Sequence, residues 1–225
     1  MTAFVGCRAV VFDAYGTLFD VNAPTRAILG ERADPVSQLW RRKQLEYSWL
    51  RSLVGRHADF AQVTAEALDY ALEASGIADR ALAARLLAAY RTLPAYDDAA
   101  GALTALRQSG RRSAILSNGS PEMLRPMVEG SGLSPLLDMV LSVEDAGIFK
   151  PHPAVYALAC DRLGLRAEEV AFVSANGWDA AGASAFGFVV AWLNRRNEPE
   201  DRLPARPAAR LSSLAELPAL FGIAG

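Results

Sequence analysis

The sequence predicts an α/β protein in which a parallel sheet, covered by helices on both faces, is interrupted by an all-helical insertion. Two observations support this class. Short, almost continuously apolar runs alternate with helix-length segments, a pattern typical of parallel strands that are buried on both faces. The long interval after the first apolar run, from about 21 to 94, contains helical patterns alone.

The order of the elements follows from the apolar runs. We expect strands at 9–12, 113–116, 139–141, 170–173 and 188–193. The amphipathic segments between and after these runs predict helices at 99–108, 122–129, 154–163 and 179–186. The stretch 195–210 is rich in proline and charge, which predicts a loop before a last short helix near 214–221.

The insertion is predicted to consist of helices because its large apolar residues recur at helical spacing. Leu68 and Leu72 are four residues apart, as are Leu82 and Leu86, so each pair lies on one face of a helix. These patterns place the helices of the insertion at 35–54, 60–74 and 80–92.

Composition excludes several classes of function. The chain has 225 residues, 52% of them apolar, and a net charge of -2, which argues against nucleic acid as a partner. Its longest uncharged run, 180–194, is shorter than the ~18 to 20 residues of a membrane helix, and Asp13 interrupts the apolar N-terminal stretch where a signal peptide would need continuity. Two cysteines provide neither a disulfide framework nor a zinc site. A cytoplasmic location is therefore expected.

Polar and charged residues follow four of the predicted strands. Ligands of open α/β sheets bind at the carboxyl ends of the strands. Single residues also have structural interpretations: Asp13 as a turn residue, Asn118 as a helix cap and Asp179 as a helix N-terminal acid. Four clusters at successive strand ends nevertheless indicate one shared site. They are Asp13, Tyr15 and Thr17; Ser117 and Asn118; Lys150; and Ser174, Asn176 and Asp179.

Lysine is rare in this chain, which draws attention to Lys150. Only Lys43 and Lys150 are lysines among 23 basic residues. Two interpretations stay open at this point. The lysines are left by chance, or Lys150 occupies a place where a compact ammonium works and a broad guanidinium does not.

At the four strand ends, "FDAYGTLFDV", "LSNGS", "FKPHPAVY" and "VSANGWD" resemble, in order, the four motifs of the haloacid dehalogenase superfamily. More narrowly, "LWRRKQLEYSWLRSL" at 39–53 resembles the cap segment of the L-2-haloacid dehalogenases. The resemblance implies a Rossmann-like catalytic core at 1–20 and 95–225, and a helical cap domain at 21–94.

Two missing acids favour dehalogenation over phosphate chemistry. Phosphatases of the superfamily carry an acid two residues after the nucleophilic Asp, where this chain has Tyr15, and a further acid in the segment that corresponds to 174–176. Phosphoryl transfer needs a cation to offset the charge beside the nucleophile. A departing halide needs neither a proton nor a metal ion. We therefore expect no cofactor and no metal.

The resemblance also implies a mechanism. Asp13 attacks C2 of a 2-haloalkanoate from behind, displaces halide with inversion and forms an ester, which water then hydrolyses. Lys150 offsets the charge of Asp13, and Asp179 orients Lys150 or the water. Three further residues match family positions that hydrogen-bond the nucleophile and the water: Thr17, Ser174 and Asn176.

Other residues are expected to hold the substrate. Ser117 and the backbone amides near Tyr15 and Asn118 are candidate donors to its carboxylate, because strand-to-helix turns leave amides unpaired. Arg41 matches the family's halide-accepting arginine, and the Asn118 amide is expected to donate to the halide as well. On a helix, Arg41 and Leu45 share one face. The expected apolar pocket consists of Tyr15, Leu45, Phe60 and Trp178.

Some assignments keep alternatives. Tyr156 matches a family position near the site, but it and Phe60 are equally well interpreted as core aromatics. A magnesium-dependent phosphatase, a fluoroacetate-preferring dehalogenase and a non-catalytic binding protein remain competing functions. The expected partner is a small 2-haloacid, with no nucleic acid and no membrane. Preference for the L enantiomer and a homodimeric state are implied by the resemblance.

Overall fold

The computed structural model of the chain describes residues 3–223, and within them six parallel strands form a single sheet. The strand order across the sheet is β3-β2-β1-β4-β5-β6. Every residue of β1 and β4 is buried, which requires cover on both faces of the sheet. The strands are β1 Ala9–Phe12, β2 Arg112–Ser117, β3 Met139–Ser142, β4 Val170–Ser174, β5 Val189–Leu193 and β6 Ala209–Leu211.

The strand order places a crevice beside β1. After β1 the chain adds β2 and then β3 on one side, and it returns with β4 on the other side of β1. Such a reversal opens a crevice at the carboxyl edge of the sheet, because the two crossover connections leave in opposite directions. The backbone N–H of Asp13, directly after β1, donates to Val173 O of β4 at 2.9 Å, so Asp13 lies at this crevice.

The helices confirm the alternating pattern. The helical segment between β1 and β2 begins with four helices, which we call the helical insert: α1 Ala23–Leu29, α2 Ala33–Leu53, α3 Phe60–Ala74 and α4 Arg80–Tyr90. The remaining helices are α5 Ala99–Gln108, α6 Pro121–Gly130, α7 Pro153–Leu163, α8 Gly177–Phe186 and the short α9 Leu217–Leu220, which a 3₁₀ turn precedes. The α/β class is confirmed, whereas the division into a cap domain and a core domain stays a prediction.

Local chemistry explains the ends and the packing of the insert helices. Asp59 caps α3 by accepting the Ala61 N–H at 2.6 Å, and Asp79 caps α4 by accepting the Leu82 N–H at 2.9 Å. The buried Trp40 of α2 donates its indole N–H to the Thr64 carbonyl of α3 at 2.9 Å. Burial of these apolar faces, more than helix propensity, stabilises the insert.

Two elements correct the expectations. The predicted loop at 195–210 overlaps a strand, Ala209–Leu211, which pairs with β5 and places the guanidinium of Arg210 over the Trp192 ring, 5.3 Å from its centroid. The helix Ala23–Leu29 was not predicted, because seven residues are too few for a clear periodicity. Among residues 3–223, no helix is both long and apolar enough to cross a lipid bilayer.

Candidate functional site

The Asp13 carboxylate is the centre of the polar cluster at the crevice, and its side chain is only 7% exposed. Its Oδ2 accepts hydrogen bonds from Thr17 Oγ1 (3.2 Å) and Asn176 Nδ2 (2.8 Å). Its Oδ1 is 3.2 Å from Lys150 Nζ. One oxygen is therefore held by two neutral donors, whereas the other faces a single cation.

A tight turn after β1 brings Thr17 back to the carboxylate. The N–H groups of Leu18 and Phe19 both return to Ala14 O, at 3.0 and 3.1 Å. Gly16 has φ +85°, a backbone conformation that side chains disfavour. Thr17 Oγ1 also accepts the Ala175 N–H at 2.8 Å, so the hydroxyl joins the first strand end to the fourth.

Lys150 lies between two buried carboxylates. Its Nζ is 3.0 Å from Asp179 Oδ2 as well as 3.2 Å from Asp13 Oδ1, and 4.9 Å from the centroid of the Phe172 ring. Burial raises the pKa of Asp179 above its ordinary value, and the ammonium of Lys150 opposes that rise. One cation thus serves two carboxylates in a dry site, where charge interactions are strong.

Tyr156 holds the Asp179 carboxylate of the Lys150–Asp179 pair. Its hydroxyl donates to Asp179 Oδ1 at 2.8 Å, and its side chain is fully buried. Burial raises the pKa of Tyr156 far above its ordinary value, and the charge of Asp179 adds to that rise, so the hydroxyl stays protonated and can donate. The structure therefore places Tyr156 against Asp179 and the aromatic ring of Phe172.

The side-chain amide of Asn176 fills the space between two oxygens. Its Nδ2 donates to Asp13 Oδ2 (2.8 Å) and to the Tyr15 carbonyl (3.2 Å), while its Oδ1 accepts from Arg41 Nη2 at 3.3 Å. A carboxylate and a carbonyl aimed at one point would suit a magnesium ion. Here an N–H group occupies that point and the Lys150 ammonium lies on the other carboxylate oxygen, so the residues do not fit a divalent cation.

The predicted serine and asparagine residues all lie at this edge, where they also fix the loops. Ser117 Oγ accepts the Gly119 N–H at 3.0 Å, and Ser174 Oγ accepts the Asn176 N–H at 3.1 Å. Asn118 Oδ1 accepts the backbone N–H of Lys150 at 3.1 Å. Asn118 is therefore not a helix cap, since α6 begins after Ser120, and its side chain instead joins the second strand end to Lys150.

A cavity of about 710 Å³ opens beside the cluster, between the helical insert and the sheet edge. Arg41 and Leu45 of α2 line it, as their shared helix face predicts. Trp49 continues the same face at the next i+4 position and was missed, although extending the spacing from Arg41 and Leu45 would have found it. The other lining residues on the site side include Tyr15, Gly16, Asn176 and Arg195.

Of the predicted apolar pocket, Tyr15 and Leu45 line the cavity, whereas Phe60 and Trp178 lie outside its lining. The Phe60 ring is fully buried, 5.8 Å from the Tyr15 ring, so it supports Tyr15 from behind. Trp178 meets Trp49 edge to face at 5.4 Å. Tyr15 is buried, and a Cβ on Gly119 would be 2.7 Å from its hydroxyl oxygen, so the ring fits only because residue 119 has no side chain.

Comparison with known proteins identifies the family. Residues 7–187 match the family model of the haloacid dehalogenase-like hydrolases. The (S)-2-haloacid dehalogenase 1 of Pseudomonas sp. (strain CBS-3) is 52% identical over 218 residues, which cover 95% of this chain and 96% of that protein. The chain belongs to the L-2-haloacid dehalogenase family.

Solved structures agree with this membership. A crystal structure of a dehalogenase with an intermediate complex has a TM-score of 0.94 at 45% identity, covering 98% of this chain and 99% of the other. The L-2-haloacid dehalogenase of Xanthobacter autotrophicus with covalently bound chloropropionic acid has a TM-score of 0.89 at 41% identity, covering 96% and 98%. The family resemblance read from the motifs is confirmed, and the protein is a hydrolase of this L-2-haloacid dehalogenase family.

Proposed function

We propose that the protein hydrolyses short-chain L-2-haloalkanoic acids to 2-hydroxyalkanoic acids, with inversion at C2, through an ester on Asp13. The observation that carries this proposal is the environment of the Asp13 carboxylate. It is buried and paired with Lys150, Tyr15 rather than an acid lies two residues after it, and Asn176 Nδ2 fills the point where a divalent cation would bind. A 2-haloacid of the kind that the family handles supplies a leaving group that needs neither.

In the first step, an Asp13 oxygen forms a bond to C2 while the carbon–halogen bond breaks and halide leaves with the bonding electrons. Oδ1 is the better candidate because Oδ2 already accepts from Thr17 and Asn176. Attack opposite the departing halide inverts C2. The two donors on Oδ2 hold the carboxylate in one orientation, which raises its effective concentration at C2.

Binding requires donors for two anions. Arg41 lines the cavity and donates to Asn176 Oδ1 at 3.3 Å, which supports a role for its guanidinium in binding the departing halide, with the Asn118 amide as a second donor. The substrate carboxylate would bind the Ser117 hydroxyl and the backbone amides that follow β1 and β2. Tyr15 and Leu45 would surround the short alkyl group, with Trp178 contributing through its contact with Trp49.

In the second step, water attacks the Asp13 carbonyl carbon, the ester bond breaks, and the hydroxy acid leaves with Asp13 restored as a carboxylate. One proton of the water passes through the Asp179 carboxylate to the departing oxygen, which becomes the hydroxyl of the product, and the second leaves to solvent as Asp13 ionises. Tyr156 keeps Asp179 oriented by its 2.8 Å hydrogen bond. Ser174 holds the Asn176 backbone, so the amide that contacts Asp13 does not move during hydrolysis.

We further propose that the helical insert acts as a cap over this site and that the protein is a homodimer. The last turn of α2 and the residues after it expose apolar side chains, among them Leu50, Leu53 and Val54, and exposed apolar groups of this kind often mark interfaces. Sedimentation equilibrium checks the oligomeric state. A monomer at all concentrations would contradict the dimer without affecting the proposed chemistry.

One set of assays separates the competing functions. Halide release and phosphate release are measured on panels of 2-haloacids and phosphate esters, each with and without EDTA. We expect halide release that EDTA does not change. Phosphate release that EDTA abolishes would favour the magnesium-dependent phosphatase, and silence on both panels would favour a binding protein. Including fluoroacetate in the panel tests the fluoride-preferring alternative.

Labelled water tests the ester intermediate. In a single turnover in H₂¹⁸O with excess enzyme, the heavy oxygen is expected in the Asp13 carboxylate and not in the hydroxy acid. Mass spectrometry of the peptide that contains Asp13 measures this. Label that appears at once in the hydroxy acid would exclude an ester on Asp13.

A further inference from the structure

A partly buried ion pair that the proposed chemistry does not use joins Arg195, just after β5, to Asp98. The Arg195 guanidinium forks onto Asp98, with both N–O distances at 2.8 Å, and lies 4.0 Å from the centroid of the Tyr96 ring. Asp98 also accepts from Ser213 Oγ (2.7 Å) and Leu214 N (2.9 Å). Burial opposes ionisation of Asp98, but hydrogen bonds from Arg195 and Ser213 hold its pKa below the ordinary value.

The same guanidinium reaches the turn that carries the nucleophile. Arg195 Nη2 donates to the Thr17 carbonyl at 3.1 Å. On the other side of the same residue, Thr17 Oγ1 donates to Asp13 Oδ2 at 3.2 Å. A single residue therefore separates the Arg195 guanidinium from the Asp13 carboxylate, and a rotation of the Thr17 peptide would turn the hydroxyl away from Asp13.

We propose that Arg195, fixed by Asp98, is a positioning residue that holds the Thr17 carbonyl and so keeps the Thr17 hydroxyl directed at Asp13. This inference rests on the proposed role of Asp13 as the nucleophile. A planar guanidinium can serve both Asp98 oxygens and a carbonyl at once, which a lysine ammonium cannot do in the same geometry. The paired hydrogen bonds to Asp98 hold the Arg195 guanidinium in place at the wall of the cavity, and with it the Thr17 carbonyl.

A double-mutant cycle between Arg195→Met and Thr17→Val tests whether Arg195 acts through Thr17. In the native background, Arg195→Met is expected to lower kcat about 10- to 100-fold, because the nucleophile loses its orientation, with KM changed less than about 3-fold. In the Thr17→Val background the same substitution is expected to cost less than about 3-fold in kcat, since the group it positions is already gone.

Two further variants separate positioning from folding. Arg195→Lys keeps a cation opposite Asp98 without the fork, and an intermediate loss of kcat is expected. Arg112→Met is a matched control, because Arg112 also donates to a backbone carbonyl, that of Leu163 at 2.8 Å, but at the opposite edge of the sheet. It is expected to lower Tm without lowering kcat at a temperature where the variants stay folded.

Three outcomes would overturn the proposal: equal losses of kcat in both Thr17 backgrounds, no loss of kcat, or a rise in KM alone, which would make Arg195 a substrate-binding residue. A crystal structure of Arg195→Met gives a readout that does not depend on turnover. The distance from Thr17 Oγ1 to Asp13 Oδ2, 3.2 Å in the native chain, is expected to exceed hydrogen-bonding reach. Absence of halide release by the unmodified protein would contradict the proposed function, whereas an unchanged distance would contradict the positioning role.

Discussion

Two regions of the molecule differ in how they are held together. One is the carboxyl edge of the sheet that carries Asp13, here called the edge, and the other is the contact between the helical insert and the rest of the chain, here called the seam. At the edge, Asp13, Lys150 and Asp179 are buried and share a continuous set of hydrogen bonds. The seam, within the part of the chain that the structure describes, is joined by a few partly exposed polar contacts. Three of them are Arg41 Nη2 to Asn176 Oδ1 (3.3 Å), Phe149 N to Ser52 Oγ (3.2 Å) and His57 Nε2 to Glu144 Oε2 (2.9 Å), and a fourth joins Arg26 to Asp20.

This difference suggests that the edge carries out the chemical steps, whereas the seam controls how substrate enters and product leaves. Buried polar networks that are fully satisfied are rigid, and losing one member is costly. Partly exposed polar contacts contribute little, and His57 and Glu144 are each about a quarter exposed. We therefore expect substitutions at the edge to change the rate of the chemical steps strongly, and substitutions at the seam to change substrate entry and product release weakly.

The largest effect is expected from Asp13→Asn. An amide is not a nucleophile toward C2, so kcat for halide release should fall on the order of 10⁴-fold or more, while circular dichroism shows an intact fold. Freshly purified protein is assayed so that deamidation does not restore the acid. Substantial activity in that sample would contradict the nucleophilic role and remove the basis of the comparison.

Lys150→Arg comes next. Lys150 is 1% exposed and packed between two carboxylates and the Phe172 ring, where a guanidinium cannot fit without displacing its neighbours. We expect kcat to fall about 10²- to 10³-fold. Lys43→Arg, a substitution of the protein's other lysine on α2, is the matched control and should leave kcat unchanged. Near-native rates for Lys150→Arg would mean that the scarcity of lysine was chance.

Asn176→Asp tests whether this edge of the sheet is a site that does not bind a divalent metal ion. The substitution replaces a donor to Asp13 and Tyr15 O by a carboxylate, which repels the nucleophile. Halide release should fall about 100-fold, and the variant should gain affinity for Mg²⁺ because three oxygens then face one point. Isothermal titration with MgCl₂ measures the gain. Tight Mg²⁺ binding by the native protein would contradict the fit that we derive from Asn176.

The smallest effect is expected at the seam, from His57→Gln and Glu144→Gln. Each loses a pair worth about 0 to 1 kcal/mol, so kcat and KM should change less than about 5-fold. Single-turnover formation of the Asp13 ester should stay at the native rate, whereas amide exchange of residues 54–59 should quicken. If either variant slows ester formation as strongly as Lys150→Arg does, the seam is part of the chemistry and the comparison fails.

Much of the fold was predictable because the spacing of apolar residues along the sequence shows which faces of the helices and strands are buried. Phe60–Ala74 and Ala99–Gln108 are helices with the predicted ends, and the five expected strands lie within a residue of their expected bounds. The site edge was predictable for the same reason: once the strands are placed, their carboxyl ends must meet, which brings Asp13, Lys150 and Asp179 together.

What the sequence did not predict depends on contacts between distant residues. Ala209–Leu211 is a strand because β5 offers it an edge, although its own residues are too few to show a pattern. Arg195 was assigned to a loop because its neighbourhood is charged, and its partner Asp98 lies 97 residues away. Nor does the sequence show that Phe60 supports the Tyr15 ring, or that Tyr156 faces Asp179.

Residue 119 is a glycine, and its lack of a side chain makes room for Tyr15, which belongs to a motif over a hundred positions earlier in the chain. With the Tyr15 hydroxyl oxygen only 2.7 Å from where a methyl group at 119 would stand, residue 119 cannot be enlarged while Tyr15 keeps its place. A chain that exchanged Tyr15 for a small acid would open a void at 119, and one that enlarged residue 119 would expel the ring. A larger side chain at position 119 therefore becomes possible only in a chain that has already given up the ring at position 15.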